Sequence, residues 1–482
     1  MLFSSPLFLF LFLPLVLLLY YLVWENLRNY LLLISSLVFF AWGGVSYTTL
    51  LIISISFNYL LGLGIGKNPG STASKRYLAV GVVLNVIFLG FFKYADFVVD
   101  NLNLLHTVLS FKIIKDPGIV LPIGISFYTF HSLSYLIDIY RKDAETQRNP
   151  FNLGLYIAFF PQLIAGPILR YHDIAPQLKS RTINLQKFAY GIRRFIIGLG
   201  KKVILANSME AVADAVFNSP HNQLNGWVAW LGLVAYALQI YFDFSGYSDM
   251  AIGLGKMFGF TFMENFNYPY VSRSIKEFWR RWHISLSTWF RDYLYVPLGG
   301  NRVGKYRTYF NLLLVFFITG LWHGASWTFV LWGFLHGTFL IIERLGNNKF
   351  PGKMWKPLQH FYTIFVVLMA WVLFRTESLS YAGSFYGALF GITSAPPDVM
   401  LLSKFINTEF YILFAISLLS ASGIFVKINS LILGRINTSK KLTAAIAESY
   451  MVLQAVFLIG VFFICSVYLI TNTYNPFIYY RF

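Results

Sequence analysis

Repeated apolar stretches constrain the fold of this chain more than any other feature. Hydrophobic residues make up 57% of its 482 residues, and charged residues only 12%. A helix needs about 20 apolar residues to cross the hydrocarbon core of a bilayer. Stretches of that kind therefore predict transmembrane helices. The candidate spans are residues 6–24, 29–46, 47–65, 77–92, 118–139, 226–242, 309–327, 328–343, 360–374, 408–428 and 450–472.

The pattern predicts an all-α polytopic membrane protein with one integral-membrane domain over residues 1–482. The sequence has no long linker and no internal repeat. The first apolar stretch lacks a basic region before it and is long for a signal peptide, so we expect a retained helix. Residues 160–167 contain two prolines and a glycine. Because proline interrupts a helix, we expect a broken element there, buried at membrane depth.

Basic residues cluster in the predicted loops. Residues 170–202 hold eight Lys or Arg and one acid, and residues 273–307 hold eight and two. Basic loops are typical of the cytoplasmic side of a membrane protein, so the net charge of +18 indicates topology and not nucleic-acid binding. Lys67, Lys75 and Arg76 mark a further cytoplasmic loop, and counting the spans places both termini outside. A basic cytoplasmic mouth would also attract a phosphate-rich substrate.

His323 lies inside an apolar stretch. Residues 308–342 contain no Asp, Glu, Lys or Arg, and His323 lies near their centre. A titratable group in hydrocarbon is costly, which makes it a candidate functional site. The structural alternative is that His323 only packs between helices and forms a hydrogen bond with a neighbouring carbonyl. The functional interpretation is a general base that removes a proton from a hydroxyl.

The sequence does not favour a metal site. Cys465 is the single cysteine and excludes an internal disulfide or a cysteine cluster. His336 follows His323 by 13 residues, about 220° around a helix, so the two do not share a face. We expect no metal and no bound cofactor.

Residues 272–293 combine charge with aromatic side chains. At helical spacing one stripe contains Lys276, Arg280, His283, Ser287 and Arg291. The adjoining stripe contains Trp279, Trp282, Leu286, Trp289 and Tyr293. Such a helix is too polar to face lipid. It could lie at the cytoplasmic interface with its tryptophans in the aromatic belt, or enter the core.

A second polar group occupies residues 241–249. Asp243, Ser245 and Asp249 lie there among aromatic residues. The two carboxylates could line an aqueous vestibule or act as structural hydrogen-bond acceptors, and the sequence leaves both open.

Several motifs together resemble one family. Residues 278–287 read FWRRWHISLS, and LWHG follows at 321–324. FPQ at 160–162 with GP at 166–167, FDFSGYSD at 242–249 and RDYLYVPLGGN at 291–301 complete the set. In this order they are similar to the membrane-bound O-acyltransferase (MBOAT) family. The resemblance is to its bacterial branch, which acts in alginate O-acetylation and teichoic-acid D-alanylation.

The resemblance implies a ring of transmembrane helices around a thinner centre, with a tunnel through the membrane. It implies that His323 is the catalytic histidine and that His283 is a second one nearer the cytoplasmic entrance. Family members move an acyl group from a cytoplasmic thioester to a hydroxyl. The candidate tunnel-lining residues are Asp243, Ser245, Asp249 and Trp322. Lys276, Arg280 and Arg291 are our candidates to hold the phosphates of acetyl-coenzyme A, the expected donor.

The C-terminal residues 474–482 are rich in tyrosine and phenylalanine. An aromatic belt where the last helix leaves the membrane is one explanation. The segment also resembles C-terminal motifs of bacterial envelope acylation systems, in which a tyrosine is thought to carry the acyl group as an ester. A phenol, with a pKa of about 10, loses its proton more easily than an alcohol. Tyr479, with Tyr480 beside it, is therefore our candidate acyl acceptor.

The expected function is O-acetylation of an envelope or extracellular polysaccharide at the bacterial inner membrane. The expected partner is a periplasmic or membrane-anchored esterase-like (SGNH) acetyltransferase. D-alanyl transfer to teichoic acid from a carrier protein is the alternative within the family. A small-molecule exporter would show repeats and paired intramembrane charges; we find no repeat, and Asp243 and Asp249 have no obvious partners in the sequence. A non-catalytic export scaffold would tolerate His323→Ala.

Overall fold

The computed structural model describes residues 1–106, 113–220, 224–346, 350–392, 405–438 and 443–471. Every regular element within these ranges is helical. The α-helices are α1 (Leu13–Leu22), α2 (Arg28–Ala41), α3 (Val45–Lys67), α4 (Thr72–Leu104), α5 (Ile125–Arg141), α6 (Pro150–Ala158), α7 (Phe160–Leu163), α8 (Tyr171–Lys179), α9 (Leu185–Gly200), α10 (Asn207–Phe217), α11 (Gly226–Met257), α12 (Ile275–Arg281), α13 (Ile284–Phe290), α14 (Lys305–His323), α15 (Trp327–Leu345), α16 (Lys356–Arg375), α17 (Leu379–Leu389), α18 (Thr408–Ala421), α19 (Ile424–Thr438) and α20 (Thr443–Thr471). Short π-helical segments span Phe8–Phe12, Lys201–Ala206 and Arg291–Tyr295.

Six described helices are long and apolar enough to cross a membrane: α3, α4, α11, α15, α16 and the Glu448–Thr471 part of α20. A seventh span results if α18 and α19 are counted together, although the pair bends by 63°. The prediction of a multi-pass helical membrane protein is confirmed. Several predicted spans form shorter helices: α1, α2 and α5 have 10, 14 and 17 residues. All three are shorter than the roughly 20 residues that a membrane-spanning helix typically has.

Helix α11 forms the centre of the molecule. In its most apolar stretch 78% of the residues are buried, against 11% in α4. Helix α9 packs closely on α11 through glycines. A Cβ at Gly198 would lie 2.5 Å from the carbonyl oxygen of Gly246, and one at Gly246 would lie 2.7 Å from that of Gly198. Small residues let two helix backbones approach this closely, which is a common packing mode in membranes.

The predicted break near residue 160 is confirmed. Helix α6 ends at Ala158, and the one-turn helix α7 begins at Phe160 after a change of chain direction at Phe159, whose ψ is 113°. The segment is fully buried. Its freed backbone N–H at Phe160 donates to the hydroxyl of Ser36 on α2, at 3.1 Å. Irregular backbone is tolerated at this depth because protein groups satisfy its hydrogen bonds.

Candidate active site

His323 is the last residue of α14, and close packing of α14 against α15 places it. The two helices cross at Gly320 and Gly333. A Cβ at Gly320 would lie 2.3 Å from the carbonyl oxygen of Phe329, and one at Gly333 would lie 2.3 Å from that of Phe316. Neither position has room for a larger residue, so the end of α14 is held directly against the start of α15.

The imidazole of His323 lies in a box of aromatic rings. Trp332 of α15 and Phe374 of α16 each present a ring with its centroid 5.0 Å from the imidazole, and Trp322 lies at 4.8 Å. His323 is only 5% exposed, and its Nδ1 atom has no hydrogen-bond partner in the described part of the chain. Leaving a buried polar atom unpaired costs about 1–3 kcal/mol. The Nδ1 atom of His323 is therefore available for a hydrogen bond with a bound substrate.

The backbone end of α14 is held by two residues of α4. The hydroxyl of Tyr94 donates to the carbonyl of Leu321 at 2.8 Å. The Lys93 ammonium donates to the carbonyl of Trp322, and also to that of His323 at 3.3 Å. The last carbonyls of a helix lack intrahelical partners, and a cation there also interacts favourably with the helix dipole. Lys93 and Tyr94 thus fix the backbone from which the His323 imidazole projects.

The predicted single helix over residues 272–293 is wrong. The chain forms α12, breaks at Trp282 and His283, and continues as α13 before the π segment. His283 adopts a left-handed conformation with φ of 43°, which ends the regular helix. The charged side chains therefore do not form one stripe. Trp279, Trp282 and Trp289 are at most 8% exposed, so the segment enters the core, the second of the two arrangements that the sequence left open.

Asn265 fixes the tautomer of His283. Its Oδ1 accepts from the backbone N–H of Ser285 at 3.1 Å, which establishes that Oδ1 is the acceptor atom of the amide. The Nδ1 atom of His283 lies 3.1 Å from the same oxygen, so Nδ1 must carry the proton. The Nε2 atom of a neutral His283 is then an acceptor. It is fully buried and has no partner among the described residues.

Trp322 connects the two histidines. Its indole lies 6.2 Å from the imidazole of His283 and 4.8 Å from that of His323, measured between ring centroids. Its Nε1–H has no partner within the described ranges. The indole also stacks on Phe130 of α5, at 5.3 Å. The structure thus brings His283 and His323, which lie 40 positions apart in the sequence, to the same Trp322 ring.

The other candidate tunnel residues lie in the core of α11. Asp243 pairs with Lys202 at 2.8 Å, and both side chains are almost fully buried. Asp249 pairs with Arg194 and Lys201, each at 2.6 Å. The expectation that these carboxylates lack partners is wrong, because their partners come from α9 and the following π segment. These ion pairs favour the structural-acceptor alternative. The Ser245 hydroxyl is buried without a partner in the described part of the chain.

The three proposed donor-binding cations lie outside the core. Lys276 and Arg280 are exposed on α12, and Arg291 is 60% exposed in the π segment after α13. Arg291 also forms an ion pair with Asp292 at 2.7 Å. Burial raises the pKa of the Asp292 carboxyl, but Arg291 and Arg170 outweigh that effect and lower it overall. The Arg291 guanidinium therefore already has an anionic partner.

Two positioning residues were not predicted from the sequence. Lys93 could have been found from the sequence, because it is a cation within the 33-residue apolar helix α4. It was missed because the predicted span at 77–92 stops one residue before it. Asn265 had no such signal, because it lies in the irregular chain between α11 and α12. Tyr479 and Tyr480 fall outside the described residues.

Fold and site together define a multi-pass helical membrane protein in which the buried side chains of His283 and His323 both lie beside Trp322. The sequence model of the membrane-bound O-acyltransferase family matches residues 142–385, which include both histidines. The chain belongs to this family and is a membrane O-acyltransferase, as the motifs predicted.

Curated relatives cover most of the chain. It is 51% identical over 391 residues to a probable alginate O-acetylase AlgI of Azotobacter vinelandii, an alignment that covers 81% of this chain and 78% of the relative. It is 40% identical over 417 residues to a peptidoglycan O-acetyltransferase of Helicobacter pylori, covering 79% and 78%. A teichoic acid D-alanyltransferase of Bacillus subtilis is 28% identical over 264 residues, covering 51% and 65%.

Proposed function

We propose that this enzyme transfers an acetyl group from cytoplasmic acetyl-coenzyme A across the inner membrane for O-acetylation of an envelope or extracellular polysaccharide. The aromatic box around His323 is the observation that carries the proposal, because it holds a buried imidazole with an unfilled hydrogen-bonding atom. Alignment with relatives named as alginate and peptidoglycan O-acetyltransferases, over about four fifths of the chain, supports acetyl as the group and a polysaccharide as the acceptor class.

The chemistry requires little more than a base in a dry, ordered site, since a thioester is already activated. His323 takes the proton of the acceptor hydroxyl while the hydroxyl oxygen attacks the thioester carbonyl carbon. The C–S bond breaks, and the thiolate of coenzyme A takes the proton back from the imidazolium. His283 presents Nε2 as a second acceptor near the donor side. The Trp322 N–H is available to a substrate oxygen between them.

The first acceptor in this proposal is Tyr479 of the same chain, with Tyr480 as the neighbouring candidate. The acetyl ester would then pass to a periplasmic or membrane-anchored esterase-like partner, which completes transfer to the sugar hydroxyl. The phosphates of the donor would bind at the cytoplasmic entrance to three exposed cations, Lys276, Arg280 and Arg291. Both chain termini would lie outside.

The direct test incubates the purified protein with isotope-labelled acetyl-coenzyme A and follows label by mass spectrometry of the C-terminal peptide. Label should appear on Tyr479. His323→Ala should reduce the rate at which label appears on Tyr479 by about 10²–10⁴-fold, the usual contribution of a general base. His131→Gln removes another buried imidazole, on α5 against Tyr156, and should retain activity.

The same experiment separates the alternatives. Label elsewhere on the chain, or full acetyl transfer in Tyr479→Phe, would remove the tyrosine from the pathway and leave the acyltransferase assignment intact. Label from a D-alanyl carrier protein, with none from acetyl-coenzyme A, would favour D-alanyl transfer. An exporter would take up no label and would be indifferent to His323→Ala.

A further inference from the structure

A cavity of about 530 Å³ lies between α11, α16 and α18, outside the candidate active site. Its volume is within the range of small-molecule sites, about 300–1,000 Å³. Most of its wall is apolar and comes from these three helices, with Val234, Leu238, Val367, Leu368, Leu418 and Ala421 among the lining residues. Leu418 is 46% exposed, so one side of the cavity opens to the surroundings of α18.

A basic rim borders this apolar cavity. Arg273, before α12, and Lys356, the first residue of α16, both line it and are both exposed. No carboxylate forms an ion pair with either one in the described part of the chain. His360, one turn along α16 from Lys356, lines the same rim, and its Nδ1 lies 3.1 Å from the carbonyl oxygen of Ser272. Two unneutralised cations at the border of an apolar groove are complementary to an anionic head group carried on a hydrocarbon chain.

Tyr270 separates the cavity from the catalytic residues. Its ring lines the cavity, its hydroxyl donates to the carbonyl of Ala237 at 2.6 Å, and it accepts from the indole N–H of Trp371 at 3.1 Å. Trp371 in turn packs on Phe374, a wall of the His323 box, at 5.3 Å. The groove is therefore a second compartment behind the aromatic wall of the active site.

We propose that this groove binds an anionic phospholipid, with its phosphate against Arg273 and Lys356 and an acyl chain along α11, α16 and α18. The membrane around the groove and the charge of its rim indicate this ligand. Helices α11 and α16 are long and apolar enough to cross a membrane, so the medium expected beside an open apolar groove on them is lipid. Arg273 of the rim begins the basic segment 273–307 that is expected on the cytoplasmic side, where anionic lipids attract lysine and arginine. This assignment is independent of the acetyl-transfer proposal.

The test is native mass spectrometry of the purified full-length protein with phosphatidylglycerol or phosphatidylcholine of identical acyl chains. Phosphatidylglycerol should be retained preferentially, and Arg273→Gln/Lys356→Gln should weaken its binding by roughly 30-fold, or about fivefold for each cation. The matched control, Lys75→Gln/Arg76→Gln, removes the same charge at the start of α4 and should bind as the wild type does. Ala421→Trp fills the groove and should abolish retention with the rim intact.

Three results would overturn the proposal. Equal retention of the two lipids would show that the basic rim does not select an anionic head group. An equal loss in the control pair would show attraction to overall charge and not to this groove. Displacement of phosphatidylglycerol by glycerol 3-phosphate would identify a site for soluble phosphates. Size-exclusion profiles of all variants should match that of the wild type, so that loss of binding is not loss of folding.

Discussion

The Nδ1 atom of His283 lies 3.1 Å from the Oδ1 atom of Asn265, and this contact determines which nitrogen of the imidazole can accept a proton. Asn265→Leu keeps the side-chain volume but removes the acceptor, so both tautomers become available. We expect kcat for acetyl transfer to fall by about 10- to 100-fold, as for other residues that orient a reactive histidine. Steady-state kinetics with acetyl-coenzyme A measure this change.

Two further substitutions separate orientation from folding. Asn265→Asp retains an oxygen acceptor for Nδ1–H and should recover much of the lost kcat. Ser248→Ala removes only the bond that the amide donates, the 3.0 Å bond from Asn265 Nδ2 to the Ser248 hydroxyl, and leaves the contacts of Oδ1 with His283 and Ser285 in place. It should have a smaller effect than Asn265→Leu. If Ser248→Ala reduced kcat as strongly, Asn265 would act by supporting the local fold and not by fixing the tautomer.

Lys93 should affect kcat more than KM. Lys93→Met leaves the carbonyls of Trp322 and His323 without their ammonium partner and loosens the end of α14. A displacement of about 1 Å in a catalytic group can cost about 10²-fold in rate, so we expect kcat to fall by about 10- to 100-fold. The KM for acetyl-coenzyme A should stay unchanged, because Lys93 contacts the helix end and not the exposed donor-binding candidates.

The matched variants for Lys93 test its charge and geometry. Lys93→Arg keeps a cation within reach of the carbonyls and should retain most of the activity. Lys75→Met removes a lysine from the exposed start of the same helix and should behave as the wild type does. An increase in KM with kcat intact in Lys93→Met would instead place Lys93 on the path of the donor.

The crossing of α14 and α15 should not tolerate a methyl group. Gly320→Ala places a Cβ 2.3 Å from the carbonyl oxygen of Phe329, and backbone cannot move aside cheaply. We expect a loss of about 1–3 kcal/mol in stability, as for other overpacked sites, together with reduced activity. Thermal unfolding in detergent measures the first effect. Gly460→Ala on α20, where a Cβ would meet no atom within 4 Å, is the control and should unfold at or above the wild-type temperature, because alanine favours a helix more than glycine does.

His172 should make stability depend on pH. Its Nδ1 lies 2.9 Å from Asp138 Oδ2, and this hydrogen bond raises the pKa of the imidazole above its ordinary value of 6.5. A raised pKa in the folded state means that the contribution is complete below pH 6.5 and is lost as the pH rises through the folded value. The Tm difference between wild type and His172→Gln should therefore be larger at pH 5.5 than at pH 9. A difference that grows with pH would contradict this assignment.

The sequence by itself determined the membrane class and the family, and it identified His323 and His283 as the candidate catalytic residues. Apolar length decides whether a helix can cross lipid, so the long spans such as α4 and α11 could be predicted from local sequence, whereas α1, α2 and α5 proved shorter. The break near Phe160 could be predicted because proline interrupts a helix. The His323 motif could be recognised because an imidazole in an apolar stretch is unusual wherever the chain later folds.

Only the tertiary structure decided what surrounds those residues. The helix over 272–293 breaks at His283 because Asn265, from a separate loop, satisfies the groups around the break, and no local periodicity encodes that contact. Asp243 and Asp249 find their cations on α9 and the following π segment, and Lys93 reaches α14 from 230 residues away. These contacts depend on how helices that are distant in the sequence pack together. A buried charge or an unpaired helix-end carbonyl is stable only when that packing brings a partner to it.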